Sequence, residues 1–134
     1  MIVKIREGIF LCDKDVTLEE IKKNAITVVE FVAPAPVAWL DQVDKMEIEY
    51  FSVFLNHPKE GKINKPHIKD IACHIPKYMS QNGEIVAIIG ETGLVRGAYV
   101  VARAICEIEN RPIYEVFMEM QKLIKGFDIG KAYL

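Results

Sequence analysis

Apolar positions along the chain fall into short continuous runs, separated by stretches in which they recur at helical spacing. The runs at 2–5 and 8–12 predict a pair of short strands at the start of the chain. The dense β-branched run at 26–32 predicts a central strand, because such residues pack well on a buried pleated surface. Between these runs, Thr17 and Glu20 have the spacing of a capping box, which indicates that a helix begins there.

The middle of the chain has a less regular pattern. Pro34 lies just before segment 35–46, and Pro36 lies near its start. This pattern predicts a connection with a short helix around Trp39. Residues 47–54 alternate between polar and apolar types and then become fully apolar, as expected of a strand. Apolar residues return to helical spacing from 66 to 82. Pro76 is expected to kink or split this helix, because proline lacks a backbone donor.

The clearest signal lies in the last third of the chain. Residues 84–89 form an almost entirely apolar run, typical of a buried parallel strand. They lead into a glycine-containing turn at 90–97 and then into a helix that ends near 110, and Pro112 opens a last helix. Strands that alternate with helices predict an α/β fold with a central, mainly parallel sheet flanked by helices, in one domain over 1–134. Ligands of such sheets bind at the carboxyl ends of the strands, so this turn is the candidate site.

Composition narrows the classes of function. The chain has 134 residues, 51% of them hydrophobic, and a formal charge of -2, which indicates a globular domain without the basic excess of nucleic-acid-binding proteins. No apolar run is long enough for a membrane span. The start of the chain is interrupted by Lys4 and Arg6 after too short an apolar run, so it does not fit a secretory signal. Cys12, Cys73 and Cys106 lie far apart, which predicts buried free thiols in a reducing cytoplasm. No metal site and no cofactor are expected.

The turn from Gly90 to Arg96 has the composition of an anion cradle. Its glycines allow successive backbone N–H groups to point inward, and the following helix adds the partial positive charge of its N-terminus. The planar guanidinium of Arg96 can hold two phosphate oxygens at once. The alternative is an ordinary turn, in which Arg96 is exposed or paired with Glu91. The candidate anion-binding residues are Gly90, Glu91, Thr92, Gly93, Leu94, Val95 and Arg96.

This segment resembles the active-site loop of the protein tyrosine and dual-specificity phosphatases, whose signature is His-Cys-x-x-Gly-x-x-Arg-Ser/Thr between a buried strand and a helix. In this sequence the same register reads Ile89-Gly90-Glu91-Thr92-Gly93-Leu94-Val95-Arg96-Gly97. Gly93 and Arg96 match the signature. The His, the Cys and the final Ser/Thr are replaced by Ile89, Gly90 and Gly97. The resemblance implies a phosphatase-like fold with a degenerate active site.

The order of the surrounding elements extends the resemblance over roughly residues 2–125. It implies a mechanism in which a cysteine thiolate attacks phosphorus and an aspartic acid on another loop acts as the general acid. Gly90 stands at the nucleophile position and Asn56 at the general-acid position, so classical phosphatase activity is not expected. Glu60 is a second candidate acid, although a solvated loop acid is the commoner situation.

Three functions remain open. The first is a pseudophosphatase that binds a phosphoprotein, a phosphopeptide or another anion through loop 90–96, with Glu91 either repelling a dianion or folding back on Arg96 to fill the cradle. The second is a protein-interaction scaffold without an anion site, which presents apolar residues of segment 34–39 or of the tail. The alternative for these residues is that Trp39 and Phe127 cap the core. The third is a weak phosphoester hydrolase that uses bound water. No nucleic-acid or membrane partner is expected, and the oligomeric state is left open. The tail residues concerned are Phe127, Ile129, Tyr133 and Leu134.

Overall fold

The structure, a computed structural model, describes residues 1–35, 37–53, 55, 72–90, 95–124 and 127. Within them the strands are β1 (Ile2–Arg6), β2 (Ile9–Cys12), β3 (Val28–Phe31), β4 (Glu49–Ser52) and β5 (Val86–Ile89). The helices are α1 (Leu18–Lys23), α2 (Val37–Lys45), α3 (His74–Gln81), α4 (Val95–Glu109) and α5 (Ile113–Leu123). The sheet order is β1-β2-β5-β3-β4, antiparallel between β1 and β2 and parallel elsewhere. The predicted α/β fold with a mainly parallel sheet flanked by helices is therefore confirmed.

Local sequence signals explain the first elements. Gly8, in the turn between β1 and β2, has a φ of 80°, which glycine adopts without strain. At the start of α1, the Thr17 side chain accepts a hydrogen bond from the backbone N–H of Glu20. The Glu20 carboxylate in turn accepts one from the backbone N–H of Thr17. Both predictions, the strand pair and the capping box, are confirmed.

The sheet separates two hydrophobic cores, because alternate residues of a strand face opposite sides. Val86 and Ile88 of β5 face the core built with α3, α4 and α5, whereas Ala87 and Ile89 face the core built with α1 and α2. All four residues of β5 are buried because β5 lies between β2 and β3 and is covered on both faces. Each fully buried Val or Ile side chain stabilises the fold by roughly 1.5–3 kcal/mol.

Three elements in the middle of the chain differ from the prediction. Segment 35–46 is mostly helical, since α2 occupies nine of its residues, and prolines that precede a helix do not interrupt it. The strand predicted over 47–54 shortens to β4, which lies at the edge of the described sheet. Helix α3 begins at His74, so Pro76 lies in its first turn, where the missing donor is tolerated. The part of the predicted 66–82 helix before residue 72 lies outside the described residues.

The last two helices begin close to their predicted positions. Helix α4 starts at Val95, which places Arg96 in its first turn, and Pro112 is the N-cap residue of α5. Phe127 is buried, with its ring centroid 6.1 Å from that of Phe117. It therefore caps the core, which confirms that alternative at Phe127 and excludes an exposed apolar patch at this residue. The other tail residues of that expectation, Ile129, Tyr133 and Leu134, lie outside the described residues.

Candidate functional site

The carboxyl ends of β2, β5 and β3 meet at one edge of the sheet. Cys12, Ile89 and Phe31, the last residues of these strands, are paired in register. The backbone N–H of Gly90 donates a hydrogen bond to the Cys12 carbonyl over 3.1 Å, and the N–H of Val32 donates to the Ile89 carbonyl over 3.0 Å. The first residue of the predicted anion loop is therefore fixed at the centre of this edge, where α/β sheets place their ligand sites.

Gly90 and Gly97 bring the end of β5 directly against the first turn of α4. A Cβ atom added at Gly90 would lie 3.3 Å from the Gly97 nitrogen and 3.6 Å from Cγ2 of Val32. A Cβ atom added at Gly97 would lie 2.9 Å from Cδ1 of Leu11. A side chain at position 90 thus needs only a small adjustment, whereas one at position 97 requires the Leu11 side chain to move. Gly90 and Gly97, which sequence reasoning placed at the nucleophile and hydroxyl positions, lie side by side.

Arg96 is buried, with 5% of its surface exposed, in the first turn of α4. Its Nη1 donates a hydrogen bond of 2.7 Å to the carbonyl of Leu55, whose own N–H donates to the Val32 carbonyl over 3.3 Å. The guanidinium therefore connects α4 to the segment that follows β4, at the same edge of the sheet as Gly90. The alternative of an exposed Arg96 is wrong.

Several predicted site residues fall outside the described part of the chain. Asn56, at the expected general-acid position, follows Leu55 directly, and Glu60 comes four residues later. The same holds for the loop residues Glu91, Thr92, Gly93 and Leu94, while Val95 is described only as the first backbone position of α4. An ion pair between Glu91 and Arg96 therefore stays a prediction. The structure brings Gly90 and Arg96 to one edge of the sheet.

All three cysteines are buried free thiols, as predicted. Burial is the main cause that raises the pKa of Cys12 and of Cys73 to about 12, and it also raises the pKa of Cys106. A nucleophilic cysteine needs a lowered pKa, so that the thiolate is present at neutral pH. Cys12 lies beside Gly90 in the sheet and still has the pKa of an inert core thiol. None of the three has the environment of a catalytic thiolate.

A narrow crevice lies beside Gly90 on the side of the sheet covered by α1 and α2. Lys14, which follows β2, contributes a positive charge to it. Trp39 contributes an aromatic wall, half-buried and edge-on to Phe31 with ring centroids 6.2 Å apart. Sequence reasoning missed Lys14, although its position just after a strand that runs parallel to β5 was a usable signal. Pro34 and Trp39, both from the segment considered as an interaction surface, also line this crevice. The remaining lining residues are Val16, Ala33 and Ile89.

No protein-family model and no curated protein matches this sequence, but solved structures match the fold. Human DUSP28 has a TM-score of 0.76 at 14% identity, over 98% of this chain and 90% of its own. The human tyrosine phosphatase-like serine/threonine/tyrosine-interacting protein has a TM-score of 0.72 at 17% identity, over 98% and 91%. A mouse putative dual specificity phosphatase complexed with zinc tungstate has a TM-score of 0.75 at 12% identity, over 98% and 84%. This chain has the fold of a dual-specificity phosphatase.

In this phosphatase fold, the strand–turn–helix unit from β5 to α4 is the part that sequence reasoning identified by its glycines and its arginine. Two further observations bear on what the unit can bind. Among the described residues, no group of three His, Cys, Asp or Glu side chains is arranged to hold a metal ion. None of the described helices has the length and apolar character needed to cross a bilayer. The described site thus offers the buried guanidinium of Arg96 at the same edge of the sheet as Gly90, a residue without a side chain.

Proposed function

We propose that this protein is a catalytically inactive member of the phosphatase fold that binds a phosphorylated side chain, or another small oxyanion, through loop 90–96. The observation that carries the proposal is the guanidinium of Arg96, buried at the carboxyl edge of the sheet and held by the Leu55 carbonyl. A guanidinium has five N–H donors in a fixed planar arrangement that matches the oxygens of a phosphate. The first turn of α4 adds the favourable end of the helix dipole.

The missing nucleophile argues against turnover. Gly90 has no side chain, so a covalent phosphoenzyme cannot form at this position. Gly97 likewise supplies no hydroxyl next to Arg96. The three thiols of the chain are buried and have raised pKa values, so none of them substitutes for the missing thiolate. Binding without chemistry is the function that remains for such a loop.

The comparisons support the same direction. The mouse relative in fold is complexed with zinc tungstate, and tungstate shares the tetrahedral oxyanion form of phosphate. The human protein with the same fold is described as phosphatase-like and as an interacting protein, which fits a binding role. We therefore infer a phosphoprotein or phosphopeptide as the partner of this chain. The formal charge of -2 lacks the basic excess expected for a nucleic-acid partner, and the free thiols fit a cytoplasmic location.

Oxyanion titration tests this proposal. Tungstate and a set of phosphopeptides are titrated into the protein, and the amide NMR signals of Ile89, Gly90 and Gly97 are followed. We expect saturable shifts at these residues, binding that is about tenfold weaker in Arg96→Lys because the planar fork is lost, and no binding in Arg96→Ala. Arg111→Lys, two residues beyond the far end of α4, is the matched control and should bind as the wild type does.

An activity measurement completes the test. An aryl phosphate incubated with the protein should be hydrolysed at the rate found in buffer alone, because the covalent route has no nucleophile. The proposal fails if neither tungstate nor any phosphopeptide shifts the Gly90 signals, or if the shifts persist in Arg96→Ala. Arg96-dependent turnover would show instead that the loop belongs to an active hydrolase.

A further inference from the structure

A second buried charge-bearing side chain, Glu30, lies in the middle of the sheet. It is on β3 and has no exposed surface. Neither of its carboxylate oxygens has a hydrogen-bond partner among the described residues. Buried polar groups are nearly always hydrogen-bonded, and an unpaired buried carboxylate is strongly disfavoured. The burial of an unpartnered carboxyl group in the interior of the sheet therefore needs a physical explanation.

The surroundings of Glu30 within the sheet are apolar. Its register partners are Ile88 on β5 and Phe51 on β4. Val28 and Val32, two residues before and after it on β3, belong to the same core and face the same side. Burial alone raises the pKa of Glu30 well above its usual value, in agreement with these neighbours. An unpaired carboxyl in dry, apolar surroundings binds its proton more tightly than one in water, so burial favours the neutral form of Glu30.

Helices α3 and α4 lie on the side of the sheet that Glu30 faces. The Cys73 thiol, at the N-cap of α3, lies close enough to Glu30 for its own pKa to be raised by the carboxylate charge, after the larger effects of burial and of Glu107. Cys73 Sγ donates to Oε2 of Glu107 on α4 over 3.6 Å, and Lys77 Nζ of α3 lies 3.7 Å from the same oxygen. Arg103 of α4 also acts on the Cys73 thiol. Cys73 and Lys77 therefore interact with Glu107, and neither Glu30 oxygen has a hydrogen-bond partner among the described residues.

We propose that Glu30 is a proton-binding site that couples protonation to the packing of α3 on β3. With α3 docked, the carboxyl is dry and carries its proton. When α3 lifts from the sheet, water reaches the carboxyl, the O–H bond breaks, and the proton passes to solvent. Docking of α3 therefore takes up one proton, and a rise in pH favours the undocked form.

This device is independent of anion binding but adjacent to the candidate site. Val32 follows Glu30 on the same face, and its carbonyl accepts the N–H of Leu55, the residue whose carbonyl holds Arg96. The strand that carries Glu30 is therefore hydrogen-bonded to the segment that positions the guanidinium.

Native-state hydrogen exchange of the full chain tests the coupling. Exchange of the α3 amides is measured between about pH 5.5 and about pH 8 and corrected for the intrinsic rate. For release of one proton on opening, the opening equilibrium of α3 rises by up to tenfold per pH unit. The slope should vanish in Glu30→Gln and Glu30→Leu, which cannot release a proton. Glu49→Gln, which alters an exposed carboxylate on the neighbouring strand β4, should keep it.

Three results would overturn the proposal. The first is α3 opening that is independent of pH in the wild type, and the second is a slope that survives in Glu30→Leu. The third is an identical pH slope for the amides of α3 and of β5, because the proton would then leave only on global unfolding. If a variant does not fold, carboxyl NMR of the wild type decides the matter. A Glu30 carboxyl that titrates at the ordinary value for glutamate would contradict the device.

Discussion

Arg96 and Glu30 are the two buried charged side chains among the described residues, and the fold accommodates them in opposite ways. Arg96 lies at the carboxyl edge of the sheet, where its guanidinium donates a hydrogen bond to a backbone carbonyl. Glu30 lies in the interior of β3 without a hydrogen-bond partner among the described residues, and burial raises its pKa, which favours the neutral form. The comparison shows that the fold satisfies one buried charged side chain with a hydrogen bond and leaves the other without one. The proposed functions of the two residues rest on this difference.

The largest effect on stability should come from removing the guanidinium of Arg96, which has a hydrogen-bond partner. In Arg96→Met, the buried Leu55 carbonyl loses its donor and the guanidinium loses its place in the core. We expect a loss of about 2–4 kcal/mol in the free energy of unfolding, from the unpaired carbonyl together with the poorer packing. Urea unfolding measures this loss. Arg96→Lys is the matched control, because it keeps a charge and a donor and should lose only about 1 kcal/mol.

The role assigned to Arg96 would be contradicted by a methionine variant as stable as the wild type. In that case the hydrogen bond to Leu55 would contribute nothing to stability. Arg96 could then no longer be contrasted with Glu30 as a buried charged residue that a hydrogen bond stabilises. Stability that falls while tungstate binding persists would separate the two roles, and would leave the arginine as a structural residue only.

The second effect concerns Glu30, which has no hydrogen-bond partner among the described residues. Removing its carboxyl should raise the stability of the fold rather than lower it. Burial raises the pKa of Glu30 in the folded state, whereas an unfolded glutamate titrates near about 4.3. The folded state therefore binds the proton more tightly, so its stability is greatest below the unfolded pKa and falls as pH rises towards the folded pKa, by up to about 1.4 kcal/mol per pH unit. Glu30→Leu removes the titrating group and should be about 2 kcal/mol more stable than the wild type near neutral pH.

Urea midpoints measured from acid to mildly alkaline pH check this prediction. The wild type and Glu49→Gln should lose stability as pH rises above about 4.3, and Glu30→Leu should not. The lowered pKa values of Glu109 and Glu119 give a slope of the opposite sign, at more acid pH, in all three proteins. A leucine variant that is less stable than the wild type at neutral pH would show that the Glu30 carboxyl has a partner that stabilises it. The contrast between the two buried charges would then disappear.

The sequence predicted the unit from β5 to α4 well, because its signals are local. A buried apolar run, a glycine turn and an amphipathic stripe each have a characteristic pattern over a few residues. The bond between Arg96 and Leu55 joins residues 41 apart, so no local pattern indicates it. Helix α2 was predicted only as a short helix within a connection, since the prolines before it hid the apolar spacing.

Glu30 shows a different limit of sequence reasoning. A single acid inside the β-branched run 26–32 is visible in the sequence, and alternation places it on one face of the strand. Whether that face is wet or dry depends on which helices cover it, and this is decided by tertiary packing alone. The position of the candidate loop between β5 and α4 was therefore predictable from residue types, whereas the buried acid needed the structure.

The smallest of the three effects tests what holds Arg96 in place. In Gly97→Ala the new Cβ would lie 2.9 Å from Cδ1 of Leu11, and this flexible side chain end must move to accommodate it. We expect a loss of about 1 kcal/mol in the free energy of unfolding and a fewfold weaker binding of tungstate, because the first turn of α4 shifts relative to β5. Gly90→Ala is the control, since its nearest contact is 3.3 Å and its cost should be smaller. Both variants should keep the pH slope that Glu30 produces, because neither changes the β3–α3 contact. An altered slope in Gly97→Ala would mean instead that the edge of the sheet and its interior respond as one unit.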